Sequence, residues 1–288
     1  MLPEEERQDP GIESWVRERT NRAAWFAARM VNSAFPNLSA DQLTNIGGGI
    51  YIAGVAHSVI THLDPKSSWT DHLLPFGEKV IGGLIDGFDG KFARIKGTYG
   101  NGMNKDGGTD RWEYLASGVG RLIDARSRGS RYGQIAAVAA TIAGQLPSVA
   151  KAFIGDKYGI EPNEGGNTKV DIVGTHAGRM PLVTFAQDFP KIAGVPVQEI
   201  VDTMVTIASL RVAKQRFDYI NNPVPGPDDK VLDDDERQKA ASRHELYSRL
   251  LGVSIAGMVG TYALLNTPQI NEWMKRKIQN ILKVPIVK

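Results

Sequence analysis

Asp86-Gly87-Phe88-Asp89-Gly90-Lys91-Phe92-Ala93-Arg94, followed after a glycine-studded segment by Gly102, Asp106 and Asp110, is the stretch whose reading decides the fold. Asp86 and Asp89 stand three apart and Asp106 and Asp110 four apart, so on helices each pair presents two carboxylates on one face. Two helix ends joined by a flexible turn then gather four carboxylates. Gly97, Gly100, Gly102, Gly107 and Gly108 in the intervening segment let backbone approach a ligand closely. The donors are all oxygen, with no histidine or cysteine nearby. That selects a hard divalent cation, Mg²⁺ or Mn²⁺ or else Ca²⁺, over zinc. Without a cation such a cluster repels itself, and Arg94 beside it offers a planar fork suited to phosphate.

The bulk composition narrows the field. A net charge of +2 over 288 residues argues against a nucleic-acid binder steered by bulk charge. There is no cysteine, which excludes disulfides, thiolate metal sites and thiol nucleophiles. The acidic segment 1–13 lacks an apolar core, so no cleavable signal peptide is expected. Mean hydropathy is −0.24, low for a polytopic membrane protein. Three stretches, Gln42 to Leu63, Tyr132 to Ala150 and Leu250 to Asn271, nevertheless lack Asp, Glu, Lys and Arg for about the 20 residues a span needs. Their small residues suit close helix packing in a membrane.

Outward from the aspartates, the chain reads as a succession of helices. Glu13 to Phe35 sets Trp15, Trp25, Phe26, Met30 and Val31 among Arg17, Arg19, Arg22 and Arg29. This pattern suits a membrane surface, and it also suits a helix packed on a soluble core. Ser39 or Asp41 can cap the next helix, whose His57 and His62 read as packing or interfacial residues rather than ligands. Further helices are expected over Phe76 to Ala93, Asp110 to about Asp124, Gln134 to Phe153, Met180 to Ala193, Val197 to Leu210 and Leu246 to Leu265. The Pro- and Asp-rich segment Asn221 to Glu236 reads as a loop, and Asp233-Asp234-Asp235 as a helix start of favourable macrodipole sign.

The aspartate stretch resembles the signature of the CDP-alcohol phosphatidyltransferase family. Asp86, Asp89, Gly90, Ala93, Arg94, Gly102, Asp106 and Asp110 fill its fixed positions. The resemblance covers about Leu38 to Arg216 and is specific over Asp86 to Asp110. It implies an all-α polytopic membrane bundle of six family-type spans, here with an N-terminal amphipathic helix (1–36), a catalytic domain (37–220) and a C-terminal extension (221–288) carrying an extra helix. It also implies that Asp86, Asp89, Asp106 and Asp110 hold two Mg²⁺ or Mn²⁺ ions, with Asp110 accepting or orienting the acceptor hydroxyl proton. Gly90 and Arg94 would meet the CDP moiety. Ala40-Asp41-Gln42-Leu43-Thr44 is similar to the element that helps hold the nucleotide, with Ala40 in place of proline, so Asp41 and Thr44 join them. Lys151 and Arg179 are similar to basic positions that hold an acceptor phosphate, although Phe153 and Thr175-His176-Ala177-Gly178 depart from that pattern. Lys151 reads equally well as a helix-end residue reaching the interface.

The implied reaction moves a phosphatidyl-type group from a CDP-linked lipid to the hydroxyl of a small alcohol or sugar phosphate, releasing CMP for phospholipid biosynthesis. The active site would face the cytoplasm, and the protein would pair as a homodimer. Two other readings stay open at this level. One is a soluble all-helical prenyl-diphosphate enzyme, which also holds magnesium on aspartates at helical spacing. The other is a non-catalytic membrane or calcium-binding structural protein. Asn104, Asp106, Gly107 and Glu113 fall at the third, fifth, sixth and twelfth positions of a helix-loop-helix calcium loop, with Gly102 at the first.

Overall fold

The structure is a computed structural model that describes residues 12–64, 66–97, 103–162, 173–174, 176–226 and 229–269. Among them lie eight α-helices: α1 (Ile12–Ala34), α2 (Ala40–Leu63), α3 (Leu73–Ile95), α4 (Met103–Ser127), α5 (Arg131–Tyr158), α6 (His176–Asp188), α7 (Val197–Asn221) and α8 (Asp234–Asn266). A 3₁₀ turn, Trp69–His72, leads into α3. The all-α expectation has one small exception. Ile160–Glu161 (β1) pairs antiparallel with Lys230–Val231 (β2), tying the end of α5 to the approach to α8.

Local chemistry accounts for the helix ends. Ser39 caps α2 in a capping box with Gln42, so Ser39 rather than Asp41 is the cap. Asp233 does the same for α8 with Glu236, and the acidic run begins that helix as its charge sign favours. The helix therefore starts twelve residues before the expected Leu246. Other boundaries differ as well: α5 runs to Tyr158 rather than Phe153, and α7 to Asn221 rather than Leu210. α4 begins at Met103, not Asp110, so Gly107 and Gly108 are helical, and a calcium loop over 102–113 is excluded. α6 stops at Asp188, because the chain then reverses through an Ile192–Val195 bridge with Ala193 and Gly194 at positive φ.

α2 and α3 run antiparallel, while α4 lies parallel to α2 at the centre of the bundle and is largely buried. Glycine permits these approaches. A Cβ at Gly82 would come within 2.8 Å of the Gly47 carbonyl oxygen and 2.9 Å of the Tyr51 nitrogen, and one at Gly48 would meet Thr109 at 2.7 Å. Gly82→Ala is expected to destabilise the protein by about 1–3 kcal/mol, since backbone must move apart. Gly83→Ala, one position on, faces open space and should be neutral or stabilising by a few tenths of a kcal/mol or more, as Ala favours helix over Gly by about 1 kcal/mol. Denaturant unfolding in detergent compares the pair.

The polarity of the bundle is inverted. Lys79, Arg121, Asp124, Gln134, Gln145, Arg179, Gln187, Asp188 and Asp202 are buried. Ile46, Ile52 and Ile60 of α2, Val80, Ile81 and Leu84 of α3, Ile200, Met204, Ile207 and Leu210 of α7, and Val253, Ile255, Val259 and Leu264 of α8 are exposed. Three helices, α2, α5 and α8, are long and apolar enough to cross a membrane. On α1, Phe26 and Met30 point outward while Ala28 and Val31 pack with Leu43, Phe92 and Phe88.

The end of the bundle remote from Asp89 is a polar knot. Lys79 pairs with Asp188 (2.7 Å), Arg121 with Asp202, and Arg128 with Glu199 (3.0 Å) and Asp124 (2.9 Å). Arg126 caps the Leu265 carbonyl (3.1 Å). Arg126 and Arg128 are thus both engaged with the interior of the bundle.

Candidate functional site

Asp86 and Asp89 lie one turn apart near the end of α3, and Asp110 in the second turn of α4. Asp89 is buried, 4% exposed, and Asp86 and Asp110 are half-buried. Asp106 sits on the first turns of α4, its side chain outside the described residues. Thr44, one turn into α2, donates its hydroxyl to Asp89 Oδ2 at 2.7 Å. The expected nucleotide-side threonine therefore touches the expected metal-side aspartate. Asp41 is exposed in the first turn of α2, beside this contact.

Glu113 of α4 lies near both pairs: it is 2% exposed, and Asp110 and Asp89 both bear on it electrostatically. A Cβ on Gly48 would lie 3.3 Å from its Oε1, so the carboxylate faces α2. That oxygen is enclosed with no hydrogen-bond partner among the described residues. The charged form of a buried acid between two others is costly, and either a proton or a cation sharing its space relieves it. An oxygen-only set of this kind fits Mg²⁺ or Mn²⁺. Gly87 and Gly90 on α3 border open space, so a bulky group can lie against backbone beside the carboxylates, with Arg94 exposed on the last turn.

A basic group adjoins Asp110. Arg179 is fully buried on α6, donates to the Gly174 carbonyl (3.1 Å) and stacks over the Tyr114 ring with 4.6 Å to its centroid. Arg111, Asp110 and Arg216 all bear on it. Arg111 bonds Gln145 (3.1 Å) and Ser148 and lies over Tyr247 (5.0 Å), while Arg216 donates to the Pro147 carbonyl. Three helices thus deliver guanidinium groups to the same end of the bundle. Lys151 instead reaches Glu161 of β1 at 2.9 Å, one turn beyond Ser148.

Arg111 and Arg216 were not among the site residues expected from the sequence, and Glu113 was expected only as the twelfth position of a calcium loop. Glu113 carries a signal there: it falls three after Asp110 and so shares its helical face. Arg111 and Arg216 carry none, because their roles depend on helices distant in sequence. His57 makes a polar contact between α2 and α3, its Nδ1 3.1 Å from Glu78. No family model, curated protein or solved structure matches the chain.

Proposed function

We propose that this chain is a membrane-embedded transferase of the CDP-alcohol phosphatidyltransferase type, moving a phosphatidyl-type group from a CDP-linked lipid to an acceptor hydroxyl. The observation that carries the reading is the meeting of Thr44, Asp89, Glu113 and Asp110 from three helices, beside the motif it was expected from and next to a basic group. The apolar exterior supports a polytopic bundle. α3 and α7 join α2 and α8 in presenting apolar stripes outward, α5 is mostly buried among them, and α1 lies at the interface, with Phe26 and Met30 toward lipid. The same exterior disfavours a soluble prenyl-diphosphate enzyme.

Asp86, Asp89, Asp106 and Asp110 would hold two Mg²⁺ or Mn²⁺ ions, with Glu113 behind them. When bound, such ions neutralise the diphosphate and stabilise the departing oxygen of CMP. Thr44 fixes the rotamer of Asp89 through its hydrogen bond. Arg94 pairs with a nucleotide phosphate and Gly90 gives the nucleotide room. Asp110 takes the proton of the acceptor hydroxyl as its oxygen bonds the lipid-side phosphorus. The bond from that phosphorus to the bridging oxygen breaks, and the electron pair leaves with CMP. Arg111, Arg179 and Arg216 suit an acceptor that itself carries an anionic group, such as a sugar phosphate, with Lys151 at the margin. Arg211 and Lys214, exposed near the same end of α7, favour its placement on the cytoplasmic side.

Membranes containing the protein, given CDP-diacylglycerol and a panel of phosphorylated and neutral alcohols, should release CMP and form a new lipid identified by mass spectrometry. Chelator should stop the reaction and Mg²⁺ or Mn²⁺ restore it. Turnover indifferent to chelator would end the cation assignment, and no CMP release with any acceptor would end the transferase reading.

A further inference from the structure

We propose a second metal site, for Zn²⁺ or a similar borderline first-row cation, formed by His62, His72 and Asp188 at the end of the bundle opposite the aspartates. The three side chains come from the last turn of α2, the turn before α3 and the last residue of α6. One donor atom from each lies within 4.8 Å of the other two. Two imidazoles and a carboxylate are a donor set that suits zinc, with a position left for water or another carboxylate.

The hydrogen bonds around His62 point the same way. Its Nε2 is 2.6 Å from the Gln187 carbonyl oxygen, which can only accept, so Nε2 carries the hydrogen. A carbonyl fixing the remote nitrogen is how ligating histidines are held. Nδ1 of the neutral ring is then a lone pair, yet it lies 3.3 Å from Asp124 Oδ1, itself an acceptor. Two lone pairs at that distance call for positive charge between or beside them. Nδ1 of His72, whose ring centroid is 4.3 Å from that of His62, is also enclosed with no hydrogen-bond partner among the described residues.

Asp124 and Asp188 bear on His72, and Glu199 shares Arg128 with Asp124. Against these three buried carboxylates stand Lys79 and Arg128, while Arg121 and Asp202 neutralise each other and the exposed Asp71 is screened by solvent. With neutral rings one positive charge is missing. A proton on His62 would supply it and leave the His72 nitrogen without a partner, whereas a cation engages both rings and the Asp188 carboxylate. Lys79 holds Oδ2 of Asp188, and the Ser58 hydroxyl also faces this carboxylate, which leaves it a lone pair for a metal. The 3₁₀ turn carrying His72 has exposed neighbours in Trp69 and Asp71, which gives the ring room to close on the others and the ion a way in. The bound ion would tie α2, the α3 approach and α6 together. This inference does not depend on the transferase reading.

The test uses tag-free, metal-stripped protein in detergent, with excess Mg²⁺ present to occupy the carboxylates at the other end. Zn²⁺ titration by competition with a chromophoric chelator should show one ion bound per chain. His72→Ala, at an accessible turn, should weaken binding by more than about 100-fold, beyond what losing an outer partner costs. Asp110→Asn should leave it unchanged. Co²⁺ should give visible ligand-field bands in the wild type that His72→Ala removes. Absence of saturable Zn²⁺ binding, or binding and bands untouched by His72→Ala, would overturn the site and assign the missing charge to protons.

Discussion

Asp110→Asn should lower CMP release by at least about 100-fold while leaving the fold intact, because asparagine keeps the shape and cannot take a proton; general-base losses of about 10²–10⁴ are usual. The stability outcome is as informative as the kinetic one. Asp110 bears on the buried Glu113 together with Asp89, so without a cation these carboxylates repel one another. Removing one charge relieves that repulsion and gives up the attraction to the buried Arg179, so the thermal midpoint of the metal-free protein should change little. Added Mg²⁺ should then stabilise the variant less than it stabilises the wild type. A destabilised apo variant would mark Asp110 as a structural residue, and wild-type turnover would strip it of the catalytic role.

Arg121→Ala is expected to cost about 3–5 kcal/mol, enough to prevent accumulation of folded protein, since it strands Asp202 in the interior without its partner. Both side chains of the pair are wholly buried, and Arg121 also donates to Thr141 (3.4 Å) and lies over Tyr114 (5.9 Å to the centroid). The double change Arg121→Met with Asp202→Leu should recover much of that loss, because packed apolar residues replace a buried ion pair at little or no cost. Yield and unfolding midpoint in detergent measure both. If Arg121→Ala folds as well as the wild type, the charges at this end are solvated and the inverted polarity described above is wrong.

These two experiments address different ends of one device. Charges in the bundle are turned inward, and at one end Lys79 pairs with Asp188 and Arg121 with Asp202. At the Asp110 end, carboxylates and guanidinium groups stand next to each other. Self-compensated charge supports a fold, whereas an anionic cluster set beside a cationic one suits a bound ion and a phosphate.

The order of the helices and the spacing of the aspartates were legible in the residues alone, though several helix ends were not. Capping at Ser39 and Asp233, and the placement of Asp86 with Asp89 on one face, are local properties that residues three and four apart settle without help from the rest of the chain. The sequence did not reveal the apolar stripes of α3 and α7, because hydropathy averaged along a helix counts Lys79 or Asp202 against a membrane whichever way the side chain faces. Only packing turned those charges inward, at 0% side-chain exposure, and left Ile81, Leu84, Ile200 and Ile207 outside. Nor did the sequence show that Thr44 reaches Asp89, or that Glu113, Arg111 and Arg216 belong to the site. Those meetings depend on how near two helices come and in what register. Glycines such as Gly48 and Gly82 set that approach, and no local pattern encodes it.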